Sequence, residues 1–279
     1  MFTDNPFAEL SATIPPVVMQ GYLILMIILV VVGTLFDVIH KGSAKYFFAN
    51  FRKSKDQGSP IGFSTKVNIA LQTFASSVLT SSEFCNQKRR IAHLLGMYGF
   101  ILNVIATFMM VMFFATPNVA TPDIWPQLWY IGALMVCVGG YWFWFFIRVD
   151  VVAEGTSPLR LMRADLFILS LLASNTSAVI WAYAQSVGSS WTFVFLGLYL
   201  IATTVLFGSV PWSKFSHMFF KPAAAFEKEL SAVNGSRNNL PEPADRTNPA
   251  VRDKHSMSLL KDAPLSMGLG IKRESPNHY

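Results

Sequence analysis

The chain has 279 residues, of which 52% are hydrophobic and only 14% are charged, and its mean hydropathy is +0.41. Soluble globular domains carry charge on about a quarter of their residues. The composition therefore excludes an ordinary soluble domain and predicts an integral membrane protein. The net charge of +6 comes largely from cations that flank the apolar segments. Since membrane topology explains such cations, we expect no nucleic-acid partner.

Five apolar segments follow one another along the chain, each near the roughly 20 residues that a membrane-spanning helix needs. They predict an all-α integral membrane protein, a bundle of about five transmembrane helices. The expected spans are 16–38, 91–115, 125–147, 165–185 and 191–213. A short acidic segment, residues 1–15, precedes the first span, and a polar tail, residues 219–279, follows the last.

The distribution of lysine and arginine predicts the orientation in the membrane. These cations are concentrated in the connection 41–90, in the loop 148–163 and in the tail, whereas the other two loops contain none. Cytoplasmic loops of membrane proteins carry such an excess. We therefore expect a multi-pass protein of the inner (cytoplasmic) membrane, with its N-terminus outside and its C-terminus in the cytoplasm.

The cytoplasmic connection 41–90 contains one amphipathic pattern. Four apolar residues recur there at helical spacing: Val67, Leu71, Phe74 and Val78. The opposite face is polar and carries Lys66, Asn68, Gln72 and Ser76. This pattern predicts a helix whose apolar stripe lies in the membrane interface or is covered by a partner subunit. The sequence leaves both alternatives open.

His93 opens the second span, directly after a cluster of three cations at 88–90. Gly96 and Gly99 follow at intervals of three residues, so that little side-chain volume stands near the imidazole. A flat macrocycle could lie against such a strip while the imidazole binds its metal. The alternative is an interfacial histidine beside glycines that pack against another helix, because small residues are common at membrane helix contacts.

Three histidines lie at the predicted cytoplasmic interface: His40 closes the first span, His93 opens the second, and His217 follows the last. A b-type haem with two histidine ligands needs imidazoles on facing helices at equal depth. His93 and His217 meet this requirement and are the predicted ligands of the haem iron. His40 is a substitute ligand that fits less well. Histidines that simply face water or lipid head groups are the alternative.

Two short segments carry a resemblance to a known family. Arg90-Ile91-Ala92-His93 and Pro211-Trp212-Ser213-Lys214-Phe215-Ser216-His217-Met218-Phe219 resemble the ends of membrane cytochrome b subunits of the nitrate reductase gamma type. That superfamily includes the membrane subunits of heterodisulfide-reductase-like complexes. With the tail segments 221–226, 235–241 and 267–273, the whole chain most closely resembles the AprM family of membrane anchors associated with dissimilatory adenylylsulfate reductase.

The resemblance implies a function as well as a fold. The family it names suggests a non-catalytic membrane subunit. Such a subunit links a soluble cytoplasmic flavin and iron–sulfur enzyme, adenylylsulfate reductase, to the quinone pool. The alternatives are a haem-free scaffold that only tethers the reductase, and a cytochrome b subunit of another quinone-linked oxidoreductase. We expect no enzyme activity of its own, since the chain has no Walker loop, no HExxH motif and no plausible Ser/His/Asp arrangement.

One departure from the family pattern limits the number of haems. Members with two haems carry a second histidine about three turns further along the second span and another deep in the last span. At the corresponding positions this chain has Asn103 and Tyr199, neither of which is a usual haem ligand. The resemblance therefore implies at most one b-type haem, on the cytoplasmic side.

The tail 219–279 is polar and rich in Pro, Asn, Lys and Arg, a composition that predicts disorder in isolation. Its far end holds scattered apolar residues: Leu259, Leu260, Leu265, Met267, Leu269 and Ile271. We interpret these as anchors that dock onto the soluble reductase. An ordinary solvated tail is the alternative.

Overall fold

A computed structural model describes residues 2–40, 42–82, 84, 86–149, 155, 157, 159–213, 215, 217–238, 240, 248 and 250. For residues 43, 217 and 219 the description covers only the backbone. Within these ranges the protein is helical and has no β-strand, which confirms the predicted all-α class.

The helices are numbered here in chain order. They are α1 (Pro6–Leu10), α2 (Pro16–His40), α3 (Ser43–Gln57), α4 (Phe63–Thr73), α5 (Gln87–Phe113), α6 (Ile124–Trp142), α7 (Leu166–Ser186), α8 (Thr192–Gly208) and α9 (His217–Val233). Two of them continue as π-helical turns: α4 through Phe74–Leu79 and α6 through Phe143–Ile147. A 3₁₀ turn, Arg163–Asp165, precedes α7.

Four of these helices, α2, α5, α6 and α7, are long and apolar enough to cross a membrane. The chain is therefore a membrane protein with at least four candidate spans. The fifth predicted span corresponds to α8, which is apolar but has only 17 residues. It ends at Gly208, before the predicted boundary at 213, and Pro211 follows shortly. Proline disfavours helical geometry in the residue before it, which is consistent with an early end.

The second span begins earlier than its hydropathy predicts. The Asn86 side chain accepts hydrogen bonds from the backbone N–H groups of Lys88 and Arg89 and so caps α5. Such a cap satisfies N–H groups that have no partner inside the helix. The cation cluster therefore lies in the first turn of α5 rather than in the loop before it.

Helices α5 and α6 run antiparallel with their backbones in contact. A Cβ atom on Gly99 would lie 2.7 Å from the carbonyl oxygen of Gly132, and one on Gly132 would lie 2.6 Å from that of Gly99. Further along, a Cβ on Gly139 would lie 2.7 Å from the carbonyl oxygen of Ala92. Gly99 therefore faces a helix rather than a macrocycle, as the helix-contact alternative predicts. At Gly96, in contrast, an added Cβ would meet no atom within 4 Å.

The short acidic N-terminal segment closes the end of the bundle where α2 begins. Phe7 of α1 packs against the rings of Trp129 and Trp181, with centroid distances of 5.9 and 5.4 Å. The Asn5 amide caps α1 and also donates a hydrogen bond to the carbonyl oxygen of Phe114, just beyond α5. Residues 5–10 are therefore part of the folded bundle.

At the opposite end, α3, α4 and α9 pack together, and we call these three helices the platform. Composition alone does not predict α9, since it occupies the first part of the polar tail. The helix forms because it can bury one face: Leu230 is 4% exposed and Ser231 is fully buried. The predicted tail thus begins with a helix that belongs to the folded protein. Residues 251–279, including the predicted docking anchors, lie outside the described residues.

The amphipathic helix predicted in the connection 41–90 is present as α4 and its π-helical turn. It buries Ile69 and Thr73, while Leu71 and Phe74 of the predicted stripe are 64% and 51% exposed. The described residues thus leave the apolar stripe uncovered. Both alternatives, the membrane interface and a partner subunit, require an exposed stripe.

Candidate functional site

His93 lies two turns into α5 and is exposed. Its imidazole packs against the ring of Phe84, with the centroids 5.0 Å apart and the planes inclined by 45°. The Nζ atom of Lys221, in α9, lies 5.4 Å from the centroid of the same phenyl ring. Phe84 therefore connects the start of α5 with the first turns of α9, where His217 is located.

The other two histidines stand near the same end of the bundle. His217 is the first residue of α9, and its side chain is not among those described. Its pairing with His93 therefore stays a prediction. His40, the last residue of α2, is exposed and stacks on Phe36 of the same helix, with centroids 5.3 Å apart.

The imidazole of His93 is exposed beside Phe84, and His93 does not line the cavities of about 290 and 500 Å³ that the described residues form. Across the part of the chain that the structure describes, no three or more His, Cys, Asp or Glu residues cluster as metal ligands would. A haem with two histidine ligands needs only two of these residues, so it remains a prediction.

The larger cavity, about 500 Å³, lies inside the bundle between α2 and the helices α5, α7 and α8. Its wall reaches from Leu10, in α1, to Met218, in α9, and so runs along most of the bundle. Most of the lining is aliphatic or aromatic. Cavities of this size and lining are typical of sites for small apolar ligands.

Asn103 and Tyr199, which the resemblance would place at the positions of a second haem, both line this cavity. The fold thus places on one cavity wall the two positions that the resemblance assigns to the ligands of a second haem. Tyr199 stacks on Trp181, with the rings 5.7 Å apart and nearly parallel. The Asn103 amide donates to the carbonyl oxygen of Trp129 at 3.0 Å.

The cavity also contains polar residues that the sequence reasoning missed. Ser174 and Thr203 share a hydrogen bond of 2.7 Å between their hydroxyl oxygens, and Asn175 stands beside Ser174 on α7. Both residues of α7 belong to an unusually polar part of an apolar span, Ser174-Asn175-Thr176-Ser177. That run is the signal that could have identified them, because polar residues inside membrane helices usually face the protein interior.

The platform carries a second set of candidate functional residues. Helix α3 exposes four cations and only one acid: Lys45, Arg52, Lys53 and Lys55, with Asp56. Tyr46 and Phe48 of the same helix are 65% and 57% exposed. Cations interspersed with aromatic side chains suit a surface that binds an acidic protein partner.

The chain was compared with protein-family models, curated proteins and solved structures. No protein-family model, no curated protein and no solved structure matches the chain.

Proposed function

We propose that this protein is a non-catalytic membrane subunit of an oxidoreductase complex. It anchors a soluble flavin and iron–sulfur reductase to the cytoplasmic membrane and connects that reductase to the quinone pool. The family resemblance suggests adenylylsulfate reductase of dissimilatory sulfur metabolism as the partner. In that system the partner oxidises sulfite with AMP to adenylylsulfate or runs the reverse reaction.

The observation that carries this proposal is the platform. Its helices come from two parts of the chain that are far apart in sequence, and they are joined into one layer at one end of the bundle. That layer presents the exposed cations and aromatic residues of α3. A folded layer of this kind at one end of the spans suits a subunit that anchors a soluble partner.

The distribution of cations supports an orientation for the complex. The platform end holds α3, the cation cluster of α5 and the described cations Arg148, Arg160 and Arg163, and the loops at the opposite end, 114–123 and 187–191, contain no lysine or arginine. By the positive-inside rule we place the platform in the cytoplasm and the start of α2 outside. The soluble reductase then meets the platform on the cytoplasmic side.

Co-purification of the reductase with the full-length protein tests the anchoring. The charge-reversal pair Lys53→Glu and Lys55→Glu on α3 is expected to lower reductase retention on washed membranes by about tenfold, since like charges then face an acidic partner. The matched control is Arg160→Glu with Arg163→Glu, which makes the same change in net charge outside the platform. Equal retention by both pairs would contradict docking on α3.

Deletion of residues 259–279 tests the second docking element, the tail. We expect the truncated protein to insert normally and to lose the reductase during a salt wash. If it retains the reductase as well as the full-length protein does, the platform alone carries the docking.

The haem distinguishes two versions of this function. Ligation by His93 and His217 would supply a one-electron carrier between reductase and quinone, whereas a haem-free protein would only tether the reductase. A reduced-minus-oxidised spectrum of protein expressed with ample haem decides between them. A b-type α band that His93→Ala and His217→Ala each abolish would establish the haem.

A further inference from the structure

Helix α4 and its π-helical turn carry an apolar stripe that stays exposed among the described residues. Phe63 and Leu79, at the two ends of this segment, are 83% and 43% exposed. Val67, Leu71 and Phe74 lie between them and are exposed as well. A contiguous apolar surface of this kind marks a place where a protein meets either lipid or another protein. The contacts at the end of the segment favour one of these two surroundings.

The stripe faces away from the rest of the platform. Helix α4 packs against α9 and buries Ile69 and Thr73. Leu71 is two residues away from each of them, which places it about 160° round the helix from both. The apolar stripe is therefore directed toward the surroundings of the protein.

The π-helical turn is tied directly to a membrane span. The Tyr98 hydroxyl donates to the carbonyl oxygen of Leu79, and Nε of Arg90 donates to that of Thr80, both at 2.7 Å. Arg90 and Tyr98 belong to α5, and Tyr98 lies about 12 Å further along its axis, since an α-helix rises 1.5 Å per residue. The end of the stripe thus lies against the first turns of the span, between the levels of these two residues.

Two markers place this level at the membrane interface. The segment of α5 without charged residues begins at Leu94, directly beyond the cation cluster. On the neighbouring helix α6, a Cβ on Gly139 would contact the carbonyl oxygen of Ala92, and Tyr141 and Trp142 follow within three residues. Cations at the start of an apolar span, and tryptophan and tyrosine beside it, are typical of the zone where head groups meet acyl chains. The stripe therefore ends in that zone.

Charge distinguishes α4 from α3. Between Gln57 and Ser82 the only charged residue is Lys66, whereas α3 exposes four cations. The exposed polar face of α4 consists of serine, threonine, asparagine and glutamine. Attraction to an acidic protein or to anionic lipids needs cations, which this face lacks. The surface of α4 is therefore suited to apolar burial, and α3 supplies the charged surface of the platform.

We propose that α4 and its π-helical turn form an interfacial helix whose apolar stripe is embedded in the lipid leaflet at the platform end. Burial of the stripe in acyl chains supplies the attachment, so neutral and anionic lipids serve equally. The helix holds the platform against the membrane surface and leaves α3 available to a soluble partner. A protein partner on the stripe, or a cover formed by the tail 251–279, is a competing occupant that the experiment distinguishes.

Spin labels on the full-length protein in nanodiscs test this inference, in a Cys85→Ser and Cys137→Ser background. Labels are placed at Leu71→Cys on the stripe and at Asn68→Cys on the exposed polar face. Collisions are measured with oxygen, which concentrates in lipid, and with a water-soluble nickel chelate. We expect the oxygen-to-nickel ratio to be severalfold higher at position 71, both in phosphatidylcholine alone and with phosphatidylglycerol added.

Three results would overturn the proposal. A label at position 71 that the nickel chelate reaches best would show a stripe in water, as a site for a protein partner requires. A label that neither reagent reaches would show a stripe covered by protein, such as the tail. A high ratio that requires phosphatidylglycerol would contradict attachment by apolar burial.

A pair of charge variants tests the role of the stripe independently of a label at position 71. Leu71→Asp places a carboxylate in the stripe, and a carboxylate is unfavourable in lipid. It should lower the oxygen-to-nickel ratio of a label at Phe74→Cys to the value of a water-exposed site. Asn68→Asp adds the same charge on the polar face and should leave that ratio unchanged. Equal ratios in the two variants would contradict embedding of the stripe.

Discussion

The side-chain amide of Asn234 donates two hydrogen bonds to Ser54, which lies 180 residues earlier in the chain. One goes to the carbonyl oxygen and one to the hydroxyl oxygen, both at 2.9 Å. The hydroxyl of Ser54 also contacts that of Ser236 at 2.9 Å, and the Ser59 amide donates to the Asn234 carbonyl oxygen. These bonds join the end of α9 to the end of α3 and make the platform one unit.

The first prediction concerns this junction. Asn234→Ala removes both of these hydrogen bonds from the buried Ser54 and should destabilise the platform by about 1–3 kcal/mol. Hydrogen exchange of α3 and α9 measures this change. The control is Asn68→Ala, which removes the same group from the exposed face of α4. Unchanged exchange rates in Asn234→Ala would contradict a structural role of the junction.

Gly58 provides an independent test of the same contact. A Cβ atom at this position would lie 2.4 Å from Cγ of Asn234, so Gly58→Ala should also loosen the platform. In the Asn234→Ala background the obstacle is gone, and the added methyl group should have little further effect. A double-mutant cycle measures this coupling. Simply additive effects would show that Gly58 acts through some other neighbour.

The second prediction concerns the contact between α5 and α6. Gly132→Ala places a methyl group against the Gly99 carbonyl oxygen and should destabilise the bundle by about 1–3 kcal/mol, because the two backbones must separate. Unfolding in mixed detergent micelles measures the effect. Gly197→Ala on α8 is a matched control, since its methyl group would meet no atom within 4 Å. Equal stabilities of the two variants would refute a tight helix contact.

The third prediction concerns an ion pair at the platform end of the bundle. Arg148, just after α6, binds Asp165, just before α7, through its Nε atom at 3.0 Å and through a second, shorter contact. Their side chains are only 9% and 12% exposed. Asp165→Asn removes the charge that balances a largely buried guanidinium and should cost about 3–5 kcal/mol. Thermal unfolding in detergent, with Asp123→Asn as the exposed control, measures this cost.

The fourth prediction is a pH dependence of the platform. Burial raises the pKa of Glu227, on α9, above its ordinary value of 4.5. The charged form is therefore disfavoured in the fold, and stability falls as the pH rises from about the ordinary pKa through the raised one. Above that interval Glu227→Gln should be more stable than the wild type, and well below it the two should be equal. Hydrogen exchange of α9 across this range, with exposed Glu229→Gln as control, checks the sign.

The fifth prediction follows from the charge distribution. Cys85 lies outside the described residues, between Phe84 and Asn86 in the chain. In a Cys137→Ser background, a membrane-impermeant maleimide should label Cys85 only after the cells are lysed. Labelling of intact cells would reverse the proposed orientation.

The class of protein and the main spans could be predicted from the sequence because they depend on local composition. The segment from Leu94 to Pro122 has no charged residue. It therefore requires an apolar environment, and this does not depend on which helix it packs against. The stripe Val67, Leu71 and Phe74 likewise predicts a helix by its spacing alone, and α4 confirms the helix, although its buried face carries Ile69 and Thr73. Hydropathy does not predict the exact helix boundaries, because capping at Asn86 and an early stop before Pro211 shift them by several residues.

Only the tertiary structure decided which residues of other helices each helix face contacts. Periodicity places Gly99 on a face of α5, and only packing shows that this face meets Gly132. In the same way Asn103, Asn175 and Tyr199 are separate residues in the sequence and neighbours of one cavity in the fold. The sequence determines which side chains are polar or small, whereas contacts between distant segments depend on how whole helices minimise their exposed surface and unmet hydrogen bonds together.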